Sequence, residues 1–193
     1  MIPASLSGAL AVVVGSASRI SGEDLQAAAR SLGYQSFDLG VATAPTEVPA
    51  ADDAVEHAAS MIGQGKILAN PLAVAVSAAS VAAGHTVVPH LLSSQSRPPG
   101  PPIEPAAVGP LRAMMRRTVV AGTGTALPAV PGGPALGKTG AAEYGSENPP
   151  RTHAWFAGYQ GDIAFAALVE DGGFGAESAA PVAARFLTLL AGR

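Results

Sequence analysis

The stretch Gly132-Gly133-Pro134-Ala135-Leu136-Gly137-Lys138-Thr139-Gly140 carries the densest chemistry in the chain, and it fits two patterns. Gly132 to Thr139 match G-x-x-x-x-G-K-[ST], in which glycine-rich backbone N–H groups and a lysine cradle phosphates. The same letters contain the triad Lys138-Thr139-Gly140. On a strand that triad offers an ammonium, a hydroxyl and, at the glycine, a backbone that a ligand can approach closely. The first pattern implies nucleotide binding, the second acyl transfer.

The flanking elements separate the two. A phosphate cradle needs a buried strand before it and a long helix after it, because the helix N-terminus holds the phosphates. Residues 125–133 hold two prolines and no apolar strand. Residues 140–150 begin with Gly140 and meet Gly145, Pro149 and Pro150, which cannot make a three-turn helix. The acidic strand-like run ending Val169-Glu170-Asp171 is the one feature that favours a nucleoside triphosphatase, which stays a distant alternative. On a strand, by contrast, Lys138 and Gly140 share one face and Thr139 points to the other.

Other segments show what must hold this strand. Ser21-Gly22-Glu23-Asp24 opens a helix that Gly33 stops. Residues 34–50 read as a loop, and Asp52 or Asp53 starts a short helix through Met61. Asn70-Pro71 is a strong helix start, and an apolar helix runs to Gly84, buried on nearly every face. A short extended piece (84–91) and a proline-rich loop (93–105) follow. Helix is expected again from Pro105 to Ala121. Three strands are read at 134–144, 152–161 and 162–171, then a closing helix at 176–191 with Phe186, Leu187, Leu189 and Leu190 on its apolar side. The order predicts an α+β fold: helices, an antiparallel meander, and a helix packed on it.

Composition bounds the possibilities. The 193 residues are 48% apolar and 13% charged, which describes one globular core of small side chains. A net charge of −3 and two lysines, Lys66 and Lys138, argue against a nucleic-acid partner. Arg112 and Arg116, four apart, are expected on a solvated helix face. With no cysteine, disulfides and thiolate sites are excluded. His57, His85, His90 and His153 have poor ligand spacing, so no metal or other cofactor is expected, and each reads as a surface or hydrogen-bonded histidine. Leu6 to Val14 is apolar but lacks a basic flank, so it reads as a poorly defined N-terminal segment (1–18) and not a signal peptide. Trp155, Phe156 and Tyr159 read as strand packing, with room for one of them to line a cleft.

Four blocks, in order, resemble the C-terminal half of a penicillin-binding protein transpeptidase domain of the class B type. They are Ile62-Gly63-Gln64-Gly65 followed by Ala69-Asn70-Pro71-Leu72; Gly84 to Leu91; Met114 to Thr123; and Gly137 to Tyr144 followed by His153 to Tyr159. The resemblance covers roughly residues 19–192. It implies a serine β-lactamase/transpeptidase-like fold, partial over residues 1–193. It also implies a serine acyl-transfer mechanism on D-Ala-D-Ala peptides or β-lactams.

By that resemblance Lys138 supplies positive charge to the cleft. Thr139 hydrogen-bonds the substrate carboxylate, Gly140 lets the substrate backbone approach, and the Ala141 N–H is an oxyanion-hole donor. The family often has Thr where this chain has Ala141; a lost hydrogen bond to a charged group is worth about 1.5–3 kcal/mol.

The resemblance also implies residues that these 193 do not contain. No serine has a lysine three positions on; Gly63 precedes Lys66 at that spacing, and Ala135 precedes Lys138. The one S-x-N match, Ser146-Glu147-Asn148, falls after the triad and reads as turn chemistry. The chain is therefore expected to begin just after the family's S-x-N position, without the nucleophile, its lysine or that loop. Losing a nucleophile costs about 10⁶ in rate, so the chain alone is not expected to acylate. The expected partners are a peptidoglycan stem peptide or a β-lactam, and a serine-bearing half-domain or full-length transpeptidase. The alternative is a non-catalytic binding module. Its family setting is the cell envelope, outside the cytoplasmic membrane.

Overall fold

A computed structural model of the chain describes residues 19–95 and 97–192, so the apolar run Leu6–Val14 lies outside the described residues. The elements are helices α1 (Gly22–Ser31), α2 (Ala54–Ser60), α3 (Pro71–Ala83) and α4 (Pro105–Ala121), strands β1 (Ala135–Tyr144), β2 (Arg151–Gln160) and β3 (Ile163–Val169), and helix α5 (Ala179–Ala191).

Local side-chain chemistry starts the helices. Ser21 Oγ accepts from the Asp24 N–H (3.0 Å), and the Asp24 carboxylate accepts from the Ser21 N–H (3.1 Å), a reciprocal capping box. Asp53 caps α2 through the Glu56 N–H (2.8 Å), and Asn70 caps α3 through the Ala73 N–H (2.9 Å). Such caps contribute about 1 kcal/mol each. Gly84, at φ 78°, ends α3 in the left-handed conformation.

The three strands form one antiparallel sheet in the order β1-β2-β3. Its register sets Lys138 against Ala157, Thr139 against Phe156 and Gly140 against Trp155. Alternation divides the side chains between two faces. On one, Leu136, Tyr159 and Ala164 pack with Ala78 and Val81 of α3 and Leu111 and Met115 of α4. On the other, Phe156 and Phe165 pack with Val119, Leu127 and the α5 residues Ala179, Ala180, Ala183 and Leu187. Gly137 leaves room for the Phe156 ring, whose Cζ would lie 2.4 Å from an added Cβ.

Three expectations change. Arg112 and Arg116 do not lie on a solvated face. Arg112 donates to the carbonyls of Val81 (3.0 Å) and Ala82 (2.7 Å), where a cation meets the negative end of α3. Arg116 donates to the Ala135 carbonyl (2.9 Å). The extended piece 84–91 makes one bridge, His85 to Pro102. The proline-rich loop folds back there, with Thr86 N–H donating to Pro101 O (2.9 Å) and Gly100 N–H to Thr86 O (2.9 Å). Helix α5 begins at Ala179 because residues 174–178 form a turn closed by Glu177 N–H to Phe174 O (3.0 Å). Of its larger apolar residues, Leu187 enters the core, while Phe186, Leu189 and Leu190 are exposed.

Candidate functional site

Lys138, Thr139 and Gly140 lie mid-strand in β1, which continues to Tyr144. No helix N-terminus follows Thr139, so the phosphate-cradle geometry is not formed. Ser146-Glu147-Asn148 falls in the exposed β1–β2 connection, as turn chemistry requires.

The outer edge of β1, away from β2, is where the candidate residues converge. In an antiparallel ladder, successive residues direct both backbone groups alternately toward and away from the partner strand. Ala135, Thr139, Ala141 and Glu143 point theirs to the outer edge, as their side-chain partners show. Arg116 reaches the Ala135 carbonyl (2.9 Å). The Lys138 ammonium curls onto the Thr139 carbonyl (2.5 Å). Gln64 Nε2 donates to the Ala141 carbonyl (2.8 Å), and Gln64 Oε1 accepts from the Glu143 N–H (3.4 Å). The Ala141 N–H shares that edge with its carbonyl. An ammonium and a strand N–H thus lie along one ledge.

Lys138 is exposed as a residue, yet enough protein surrounds its ammonium for burial to lower its pKa from the ordinary lysine value. Thr139 lies on the opposite face and is 8% exposed, its hydroxyl 2.5 Å from that of Thr123, just past α4. Two hydroxyls carry two protons; one lies between them and the other remains for an acceptor. Gly140 is approached from below by Gly175. A Cβ on Gly175 would lie 2.4 Å from Trp155 O and 2.5 Å from Gly140 O. That loop therefore supports the strand at the triad.

Trp155 is half-buried on the Lys138 face, beside Gly140, whereas Phe156 (0% exposed) and Tyr159 (8%) are core residues. Burial raises the Tyr159 pKa, and nearby Arg112 opposes that rise. At the far end of the same face, Tyr144 and His153 stack with ring centroids 3.9 Å apart. Arg151 sits over Tyr144, and both reach Asp171. His153 is not an ordinary surface or hydrogen-bonded histidine: it is half-buried, and its Nδ1 is buried with no hydrogen-bond partner among the described residues.

Sequence reasoning quoted Gln64 and Thr123 without giving either a role. Thr123 carries no pattern that points across to Thr139. For Gln64 a cue existed in the flanking glycines: Gly63 and Gly65 both take positive φ (78° and 75°), a conformation that aims the residue between them.

The K-T-G ledge thus lies on the edge of a three-stranded antiparallel sheet with helices packed on both faces. The chain belongs to the family described as penicillin binding protein transpeptidase domain, whose model matches residues 10–188. Among solved structures, it resembles penicillin-binding protein A of Mycobacterium tuberculosis (27% identity, TM-score 0.67), covering 88% of this chain and 44% of that one. The penicillin G acyl-enzyme complex of that protein is similar at 26% identity and TM-score 0.71, covering 87% and 43%. The D,D-transpeptidase domain of a peptidoglycan glycosyltransferase from Eggerthella lenta is similar at 25% identity and TM-score 0.73, covering 94% and 51%. The chain thus spans about half the length of these structures or less. A search of curated proteins gave no match. No helix among the described residues is long and apolar enough to cross a membrane.

Proposed function

We propose that this chain, as one partial domain over residues 1–193, supplies the K-T-G half of a serine DD-transpeptidase site in peptidoglycan cross-linking. Lys138 brings positive charge to the cleft, and the Ala141 N–H stabilises the oxygen on which charge builds during acyl transfer. Thr139 offers its remaining hydroxyl proton to the substrate carboxylate, with Thr123 orienting it. Gly140 keeps the ledge open to an extended peptide ending in D-Ala-D-Ala or to a β-lactam. The single observation that carries this reading is the outer edge of β1, where the Lys138 ammonium and the backbone of Ala141 lie along one ledge. These 193 residues contain no S-x-x-K, so acylation requires a serine-bearing segment, in the cell envelope setting of the family.

The test is a titration of the ¹⁵N-labelled chain with an acetyl-D-Ala-D-Ala peptide. The amides of Thr139 to Ala141 should shift, and Lys138→Met should weaken the effect. A saturating titration that leaves β1 unshifted while other amides move refutes the assignment.

A second reading, a binding module without catalysis, rests on a different observation. The outer edge of β3 pairs with no strand among the described residues. Beside it runs a cavity of about 330 Å³ between β3 and α5, lined by Phe165, Leu168, Val182 and Phe186. An unpaired edge beside apolar surface suits strand addition from a serine-bearing half-domain or a full-length transpeptidase. Co-expression with such a half separates the readings: acylation appears in the first, association without acylation in the second.

A further inference from the structure

Gln64 is held in a tight turn, not on a flexible loop. Its N–H donates to Ala59 O (3.0 Å), the Gly63 N–H donates to Ser60 O (3.0 Å), and both flanking glycines have positive φ. Its half-buried side chain reaches 77 residues along the chain to β1. There the carboxamide imitates an adjacent strand, with Nε2 donating to Ala141 O (2.8 Å) and Oε1 accepting from Glu143 N–H (3.4 Å). One side chain thus occupies two of the edge positions that a pairing ligand strand would use.

From these two contacts we infer that Gln64 is a built-in competitor for the K-T-G ledge, which a ligand must displace to pair with β1. Its carboxamide covers the Ala141 carbonyl until a ligand presents a backbone N–H that replaces it. This rests on the function proposed above and adds a rule for the ligand. Antiparallel addition to the β1 edge engages both the N–H and the C=O of Ala141. A ligand that brings an N–H exchanges one hydrogen bond for another at that carbonyl. A ligand without one either leaves Gln64 in its way or leaves the carbonyl unpaired. The ledge therefore selects peptides with an amide donor opposite Ala141 over N-methylated or ester analogues of the same shape. Gln64 lowers the affinity of each ligand that must displace it from that carbonyl.

Two variants separate this role from simple support of β1. Gln64→Ala removes the side chain, and Gln64→Met keeps its length and packing without donor or acceptor. In the ligand-free chain, amide exchange at Glu143 should accelerate in both, by about tenfold for loss of one net hydrogen bond. Acetyl-D-Ala-D-Ala should then bind both variants about two- to tenfold more tightly than the native chain, as expected when a one-hydrogen-bond competitor is removed. Its N-methylated analogue, which cannot use the freed carbonyl, should gain less. Unchanged Glu143 exchange overturns the inference. So does peptide binding that is equal or weaker in both variants, which would make Gln64 a support of the strand. If neither the native chain nor the variants bind the peptide at saturating concentration, the proposed function fails and this inference falls with it.

Discussion

The hydroxyl of Thr139, second residue of the K-T-G triad, lies 2.5 Å from the hydroxyl of Thr123, which follows helix α4. The residue is almost fully buried, so its orientation is set by this contact and not by solvent. Thr123→Val should leave a buried hydroxyl without its partner and destabilise the chain by about 1–3 kcal/mol, whereas Thr123→Ser should be close to neutral. Urea unfolding of both variants measures the difference. Equal stability of Val and Ser at this position would mean that the contact contributes nothing to folding.

Lys138 offers a prediction whose sign follows from its surroundings. Burial disfavours the charged ammonium and lowers its pKa, so the unfolded chain holds more protons than the folded one between the folded and the ordinary lysine pKa. The lysine therefore opposes folding at neutral pH. That opposition fades as pH rises through the lowered pKa towards the ordinary value. Lys138→Met should be more stable than the native chain near neutrality, with the gap narrowing in alkali. Thermal unfolding as a function of pH tests this, and a gap that widens with rising pH would reverse the sign.

Gly175 meets the triad from the opposite face. A methyl group there would press within 2.5 Å of Gly140 O and 2.4 Å of Trp155 O, both backbone atoms. Gly175→Ala should cost about 1–3 kcal/mol as overpacking and should shift the amides of Gly140 and Ala141. Calorimetry and an amide correlation spectrum read both effects.

Arg112 links α4 to the end of α3. Its two hydrogen bonds to Val81 O and Ala82 O involve a charged donor, worth about 1.5–3 kcal/mol each, and removal exposes both carbonyls to new partners. Arg112→Met should lower the urea midpoint clearly, while Arg117→Met, at an arginine for which the structure shows no such bonds, should not. Equal effects would mean that the basic cluster acts through net charge and not through these bonds.

Much of this fold was legible because its punctuation is local. Ser21, Asp53, Asn70-Pro71, Gly84 and Pro105 mark helix ends through backbone groups one to four residues away, and the three strands alternate as their letters suggest. What sequence reasoning missed depends on distant partners. Nothing near Arg112 or Arg116 reveals that the carbonyls of Val81, Ala82 and Ala135 will face them, so both read as solvated. Leu189 reads as core, yet the i, i+4 stripe of Ala179, Ala183 and Leu187 takes the buried face of α5. At the site, Lys138, Thr139 and Gly140 were found by motif, and their strand context by the prolines and glycines around them. The roles of Gln64 and Thr123 depend on contacts spanning 77 and 16 residues, which no local pattern encodes.

We propose that this chain carries the K-T-G half of an acyl-transfer site whose nucleophile comes from another segment. Intact-mass spectrometry after incubation with a penicillin tests it most directly, on the chain alone and on the chain combined with a serine-bearing transpeptidase half. No adduct is expected on the chain alone, and an adduct is expected on the serine-bearing half that depends on the chain and on Lys138. A fold-dependent adduct on the isolated 193-residue chain would contradict it, because one of its own serines would then be the activated nucleophile.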